Sequence, residues 1–210
     1  SGITSAASDG VEIAGTALTI KEPGTYLLSG TCADGSIKVK KGTTGVTLVL
    51  SGLTLTSETT APIICAKSTE VSIVAAANTE NTLTDTENNN ADAGGEEAEN
   101  AVIKCKDGST VTLCGTGTLN VTANGKNGIK SGASTESEGD ASLTIRELTL
   151  NVTAPVNDAV NAEAALNVES GTLTIAAGDD ALHCDNAMNI GAENTAGPSI
   201  TITACYEGLE

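Results

Sequence analysis

DDALHCD at residues 179–185 is written three more times in looser form: NGIKS at 127–131, NDAVNAE at 157–163 and YEGLE at 206–210. Superimposed, the phrases align Asn127, Asp158, Asp180 and Glu207, then Ile129, Val160, Leu182 and Leu209, then Lys130, Asn161, His183 and Glu210, at spacings of 31, 22 and 27 residues. Repeats in the twenties separated by small-residue turns are the signature of a solenoid built from strands. In such a stack each aligned residue sits on its counterpart, about 4.8 Å away. Acids that recur at one aligned position then form a row of carboxylates.

Working outward from these phrases, three apolar columns run through the chain from residue 101. One holds Ile103, Ile129, Val160, Leu182 and Leu209, a second Leu113, Ile145, Val168 and Ile190, and a third Val121, Val152, Ile175 and Ile202. Three inward columns per turn imply three sheets around one core. Parallel strands joined by crossovers are right-handed in about 98% of cases. The expected fold is therefore all-β, a single-stranded right-handed parallel β-helix of eight or nine coils, forming one domain over residues 1–210. Upstream, VEIAGTALTIKEPGTYLLSGT (11–31) and SIKVKKGTTGVTLVLSGLTLTS (36–57) alternate apolar and polar residues between Gly turns, so the coils are expected to begin near residue 11. PIICAKSTEVSIVAA (62–76) and AVIKCKDGSTVTLCGTGTLNVTA (101–123) read as the same unit, with Val71 and Ile73 matching Val111 and Leu113. Between them, residues 78–100 carry one short apolar touch, Leu83, among Asn, Glu, Gly and Ala, and are expected to protrude as a solvated loop.

Ten basic residues against 27 acidic ones give a net charge of −17. That balance repels nucleic acid and anionic membranes and leaves cations as the natural counter-charge. No apolar run approaches the roughly 18 residues needed to span a bilayer, so no membrane insertion is expected, and nothing resembles a signal peptide. Tyr26 and Tyr206 are the only aromatics, so the core must be aliphatic. Of six cysteines, Cys65, Cys105 and Cys184 fall two residues after the aligned apolar position, where other coils carry Ser131 and Ala162. They read either as stacked interior thiols or as partners in a disulfide.

Within DDALHCD, Leu182 and Cys184 point inward, so His183 and Asp185 face out while Asp179 and Asp180 sit on the preceding turn. The coil before offers Asp158, Asn161 and Glu163, and the coil after offers Glu207 and Glu210. Carboxylates crowded into about three coils repel one another unless a cation sits between them. Oxygen donors without a cysteine pair favour Ca²⁺ over zinc or copper. Asp158, Asp179, Asp180, Asp185, Glu207, Glu163 and Glu210 are the candidate ligands, against the plainer reading that Asp and Asn merely serve the turns. His183 is expected beside a metal or on the surface. The sole arginine, Arg146, follows Ile145 in another sheet, which leaves Lys130 as the one candidate base for a calcium-dependent lyase. Threonines do not recur in the regular outward array that an ice-binding solenoid needs.

KNGIKSG (126–132), GDDALHCDNAMNI (178–190) and CYEGLE (205–210), with NTLTD (81–85) and GTGTLNV (115–121) upstream, resemble the bacterial carbohydrate-binding β-helix proteins that bind cellulose and acidic sugars on a polysaccharide-lyase-like fold. The likeness covers roughly residues 20–210. It implies a pectate-lyase-like three-sheet solenoid, an exported or cell-surface bacterial protein, calcium along the helix side and a polysaccharide partner, either cellulose or an acidic cell-wall glycan. Lys130, Asn161, His183 and Tyr206 become candidate sugar contacts. The resemblance also implies further coils beyond the Glu-Gly-Leu-Glu ending at Glu210, so a truncated end, or one covered by a second copy, is expected. A non-catalytic binding protein, a lyase using Lys130 and a structural surface spacer are the three functions to separate.

Overall fold

A computed structural model describes residues 10–193 and 196–210. One sheet of nine strands holds β1 (Val11–Ala14), β2 (Ala17–Ile20), β4 (Ser36–Val39), β6 (Ile63–Cys65), β9 (Ala101–Cys105), β12 (Asn127–Ser131), β15 (Val160–Ala162), β18 (Asp180–Cys184) and β21 (Glu207–Leu209). A sheet of twelve holds the others. On one side of it lie β7 (Glu70–Ala75), β10 (Thr110–Gly115), β13 (Ser142–Ile145), β16 (Ala165–Val168) and β19 (Ala187–Ile190). On the other lie β8 (Glu80–Asp85), β11 (Thr118–Thr122), β14 (Thr149–Ala154), β17 (Thr172–Ala177) and β20 (Ser199–Ala204). Joining the two sides are β3 (Gly24–Cys32) and β5 (Val46–Ser57). From β2 onward each strand pairs in parallel with its counterpart one turn later, so the chain is a pile of three-sided turns.

The columns are real. Ile103, Ile129, Val160, Leu182 and Leu209 are register partners in succession. So are Leu113, Ile145, Val168 and Ile190, and Val121, Val152, Ile175 and Ile202. All but the last members are buried; Leu209, Ile190 and Ile202 lie on the final rung and are exposed. The core they form is aliphatic throughout, as two tyrosines in 210 residues require.

Three features differ from the expectation. First, three faces make two hydrogen-bonded sheets. The 12-residue β5 pairs with β7 through Val46–Leu50 and with β8 through Thr54–Ser57, rounding the corner at Gly52, whose φ of +73° suits a residue without a Cβ. Second, β1 does not begin a coil. It folds back antiparallel onto β2, covering what would otherwise be an open edge. Third, residues 78–100 are not all loop. Glu80–Asp85 is strand β8, with Leu83 fully buried and in register with Val121. The strand reads as polar because Asn81 occupies an inward slot opposite Leu119. Its amide is satisfied there: Oδ1 accepts from Leu53 N at 3.0 Å and Nδ2 donates to Thr118 O at 3.1 Å. Only residues 86–100, with a short 3₁₀ turn at Ala91–Ala93, form the excursion.

The six cysteines are all free, and Cys65 and Cys105 are buried register partners in the inward column that continues through Ser131, Ala162 and Cys184. Stacking and burial push the Cys65 thiol well above its ordinary pKa, so it is the inert, small-hydrophobe kind of cysteine. Ser131 is the misfit of the column, since its Oγ is buried without a hydrogen-bond partner. Ser131→Ala should therefore raise stability by about 1 kcal/mol, because it removes an uncompensated polar atom. An unchanged or lower urea midpoint would contradict this.

Candidate functional site

The outer side of the nine-stranded sheet carries two polar columns. Register places Lys104, Lys130, Asn161 and His183 on one another, with Glu210 next to His183 on the last rung. Below Lys104 the same column continues down through Ile64, Lys38 and Thr19. Two residues further along each strand, backbone bonds align Lys40, Ala66, Lys106, Gly132, Glu163 and Asp185. Between two of these rungs Gly128 leaves no room for a side chain, since an added Cβ would lie 2.4 Å from the Ala159 carbonyl oxygen. The early rungs of this face are therefore basic and the late rungs acidic.

At the acidic end Asp180 is the hub. It is the first residue of β18, buried on the same side as Leu182, whereas the sequence placed it on the preceding turn. Asp158, buried one rung earlier, accepts from Asp180 N through Oδ1 at 3.2 Å and from Asn161 Nδ2 through Oδ2 at 2.6 Å. Donor atoms of Asp158, Asp179 and Asp180 lie within 4.8 Å of one another, and so do those of Asp180, His183 and Glu210. Burial raises the Asp180 carboxyl above the usual carboxylate range, Glu210 adds to the rise, and His183 opposes it.

His183 is a bonded cation. Its Nδ1 lies 2.8 Å from Glu210 Oε2 and 3.1 Å from Asp180 Oδ2, and its Nε2 lies 2.7 Å from Asp185 Oδ1. The Asp185 contact first, and then Glu210 and Asp180, push its pKa up from 6.5 to about 9, against a smaller lowering from burial. At neutral pH the ring is an imidazolium donating from both nitrogens. Both ring nitrogens are then committed to carboxylates.

The candidate ligands thus separate. Asp158, Asp179 and Asp180 supply three carboxylates and no nitrogen or sulfur, a donor set that fits a hard divalent cation such as Ca²⁺ completed by water or carbonyl oxygens. Asp185 and Glu210 are held by His183. Glu163 turns to Lys130, with 3.5 Å between Oε1 and Nζ. Glu207, although in register with Asp180, belongs to neither cluster, and Tyr206 projects into solvent at 80% exposure. Arg146 follows Ile145 on another face, away from the acids.

Two polar groups that carry structure were not visible as such. Asp85 is fully buried, accepting from Asn89 Nδ2 at 2.8 Å, Asn124 N at 2.6 Å and Gly125 N at 3.1 Å. Lys104 is held between Ile64 and Lys130, and burial followed by its like-charged neighbour lowers its pKa. The signal for the first was the final Asp of NTLTD; for the second it was the shared slot with Lys130.

A family model described as carbohydrate-binding domain-containing protein matches residues 14–210. The chain belongs to this carbohydrate-binding family. A protein of the same description from Acetivibrio thermocellus is 36% identical over 122 residues, 58% of this chain and 42% of that relative's length. The match thus spans less than half of the curated relative. Among solved structures, the polysaccharide lyase-like protein from C. thermocellum, determined as a gadolinium derivative, is similar over 97% of this chain and 89% of its own, with a TM-score of 0.74 and 25% identity. The carbohydrate-binding family and the polysaccharide-lyase-like architecture of parallel sheets agree with the stacked turns described above.

Proposed function

We propose that this chain is a non-catalytic polysaccharide-binding module: one right-handed parallel β-helix, stabilised by calcium and working outside the cell or on its surface. The observation that carries the reading is the carbohydrate-binding family match over residues 14–210. Right-handedness is supported by the rule for crossovers between parallel strands, which applies here at every turn. Calcium is supported by the all-oxygen triad of Asp158, Asp179 and Asp180. Cellulose or acidic cell-wall glycans are the proposed ligands, with Asn161 and exposed Tyr206 beside the triad as contacts. Binding is favoured over lyase chemistry because Lys130 is engaged by Glu163 at 3.5 Å.

Retention on insoluble cellulose and on polygalacturonate, with calcium and after chelation, tests the reading. Binding without growth of ultraviolet absorbance from unsaturated product is expected. Steady product formation that disappears in Lys130→Ala would replace the module with a lyase, and no retention on any glycan would leave a structural spacer. Calorimetric titration of Ca²⁺ into chelated protein should give saturable heat, lost in Asp179→Asn. A hundredfold excess over Kd should stabilise the fold by about 2.7 kcal/mol.

A further inference from the structure

All nine lysines lie in, or within two residues of, a strand of the nine-stranded sheet; the tenth cation, Arg146, follows β13 in the other sheet. In a chain carrying 27 acids, cations present only for solubility would be scattered among those acids. Four of the nine collect instead at the first two rungs of that sheet. There Lys21, Lys38, Lys40 and Lys41 surround a recess of about 390 Å³ floored by Thr19 and Ala66, with Glu12 as its single acid. Strand geometry fixes the spacing: neighbours across rungs are about 4.8 Å apart, and neighbours two residues along a strand about 7 Å apart.

Partnering separates these lysines into two kinds. Lys21 is 3.5 Å from Glu12 and Lys41 is 3.0 Å from Glu138, so each has a carboxylate. Lys38 and Lys40 are exposed and have no carboxylate within ion-pair distance among the described residues. Like charges held side by side without counter-ions form a local positive field on an otherwise negative surface, and such a field attracts anions. Lysine ammoniums are compact point charges, whereas the planar arginine fork reads carboxylate geometry bidentately. A recess whose cations are all lysines therefore selects for charge density and tolerates either carboxylate or sulfate. Small, uncharged Thr19 and Ala66 leave room above the sheet for a flat ring.

We propose that this recess is a metal-independent binding site for an acidic glycan, gripping ring carboxylates or sulfate esters through Lys38 and Lys40, separate from the acid cluster at the other end of the same face. The site rests on the reading of the chain as a polysaccharide-binding module and adds a second, oppositely charged contact to it. An acidic strand laid along the face would meet ammoniums directly at the early rungs and would need a bridging cation at the late ones.

The test uses the full chain in excess chelator, with polygalacturonate, dextran sulfate and a neutral glucan as probes in affinity electrophoresis. Both acidic polymers should retard the protein without calcium, and the neutral glucan should not. Retardation should weaken at least about tenfold between low and high salt as the ammonium contacts are screened. Lys38→Gln/Lys40→Gln should lose about tenfold in affinity with an unchanged urea midpoint, since both side chains are exposed. The site is refuted if the lysine variant binds as tightly as the parent, if duplex DNA binds as well as the acidic glycans, or if acidic glycans bind only with calcium. In the last case the polysaccharide reading stands. Failure of every glycan, charged or neutral, with or without calcium, removes that reading as well.

Discussion

Asp85→Ala is expected to lower stability by about 3–5 kcal/mol, the largest loss from any single polar substitution in this chain. The carboxylate is fully buried and accepts from Asn89 Nδ2, Asn124 N and Gly125 N. Each buried donor left without an acceptor costs about 1–3 kcal/mol. Burial raises the Asp85 carboxyl above its usual range even with those bonds, so removing a desolvated charge returns part of the loss, and the total stays below the sum of three maxima. The damage spreads because Asn89 also ties the excursion to the stack, donating to Ala101 O at 2.9 Å and accepting from Glu99 N at 2.7 Å. Asp85→Asn should cost less, since one oxygen still accepts from Asn124 N and Gly125 N and only the bond from Asn89 Nδ2 is lost. Urea unfolding of the three proteins measures both. A loss below about 1 kcal/mol for the alanine variant would mean that water replaces the carboxylate and that Asp85 does not anchor the loop.

The second large effect is the titration of His183, the single histidine, which NMR can follow without assignment ambiguity. Its midpoint should lie near pH 9 and not at 6.5. Asp185→Asn should lower it most, because that contact is the leading cause of the rise. The sign for stability follows from linkage. A pKa raised on folding means that the folded state holds the proton more tightly, so the stabilisation is complete below pH 6.5 and is lost as pH climbs through about 9. The side chain is 21% exposed, so solvent screening reduces the energy below the full value of the shift. The protein should therefore lose urea resistance between pH 6.5 and 9, and His183→Gln should flatten that slope. Calcium at the neighbouring triad should pull the midpoint downward, since Asp180 belongs to both clusters. A midpoint near 6.5 would show that the three carboxylates do not hold the ring.

The fold was legible because the inward slots are filled by one kind of residue. Ile129, Val160 and Leu182 differ in shape but not in polarity, so the repeat shows through spacings of 31 and 22 residues. Reading failed where polarity and position disagree. Asn81 and Asp85 are polar residues in inward positions, which made β8 look like loop, and their compensation comes from Leu53, Thr118 and Gly125, none adjacent in the chain. The antiparallel β1 failed for the opposite reason, since its alternation matches that of a true coil strand and only its direction differs. At the candidate site the grouping of Asp158, Asp179 and Asp180 was readable from the aligned phrases. The partition of the remaining acids was not, because it depends on which side chain reaches His183 and which reaches Lys130. The basic recess was written plainly in KVKK at 38–41, but its meaning came from the rung before it, which brings Lys21 and Thr19 alongside.

Since strands pair only with the counterparts immediately above and below, energetic influence in this molecule travels by handing on from neighbour to neighbour. A lesion in the middle of the pile divides it into two shorter piles, whereas the same lesion at either extremity merely frays a tip. Evolution can accordingly lengthen, shorten or re-charge such a chain one storey at a time, and opposite electrical characters can coexist at its two ends without either disturbing the other.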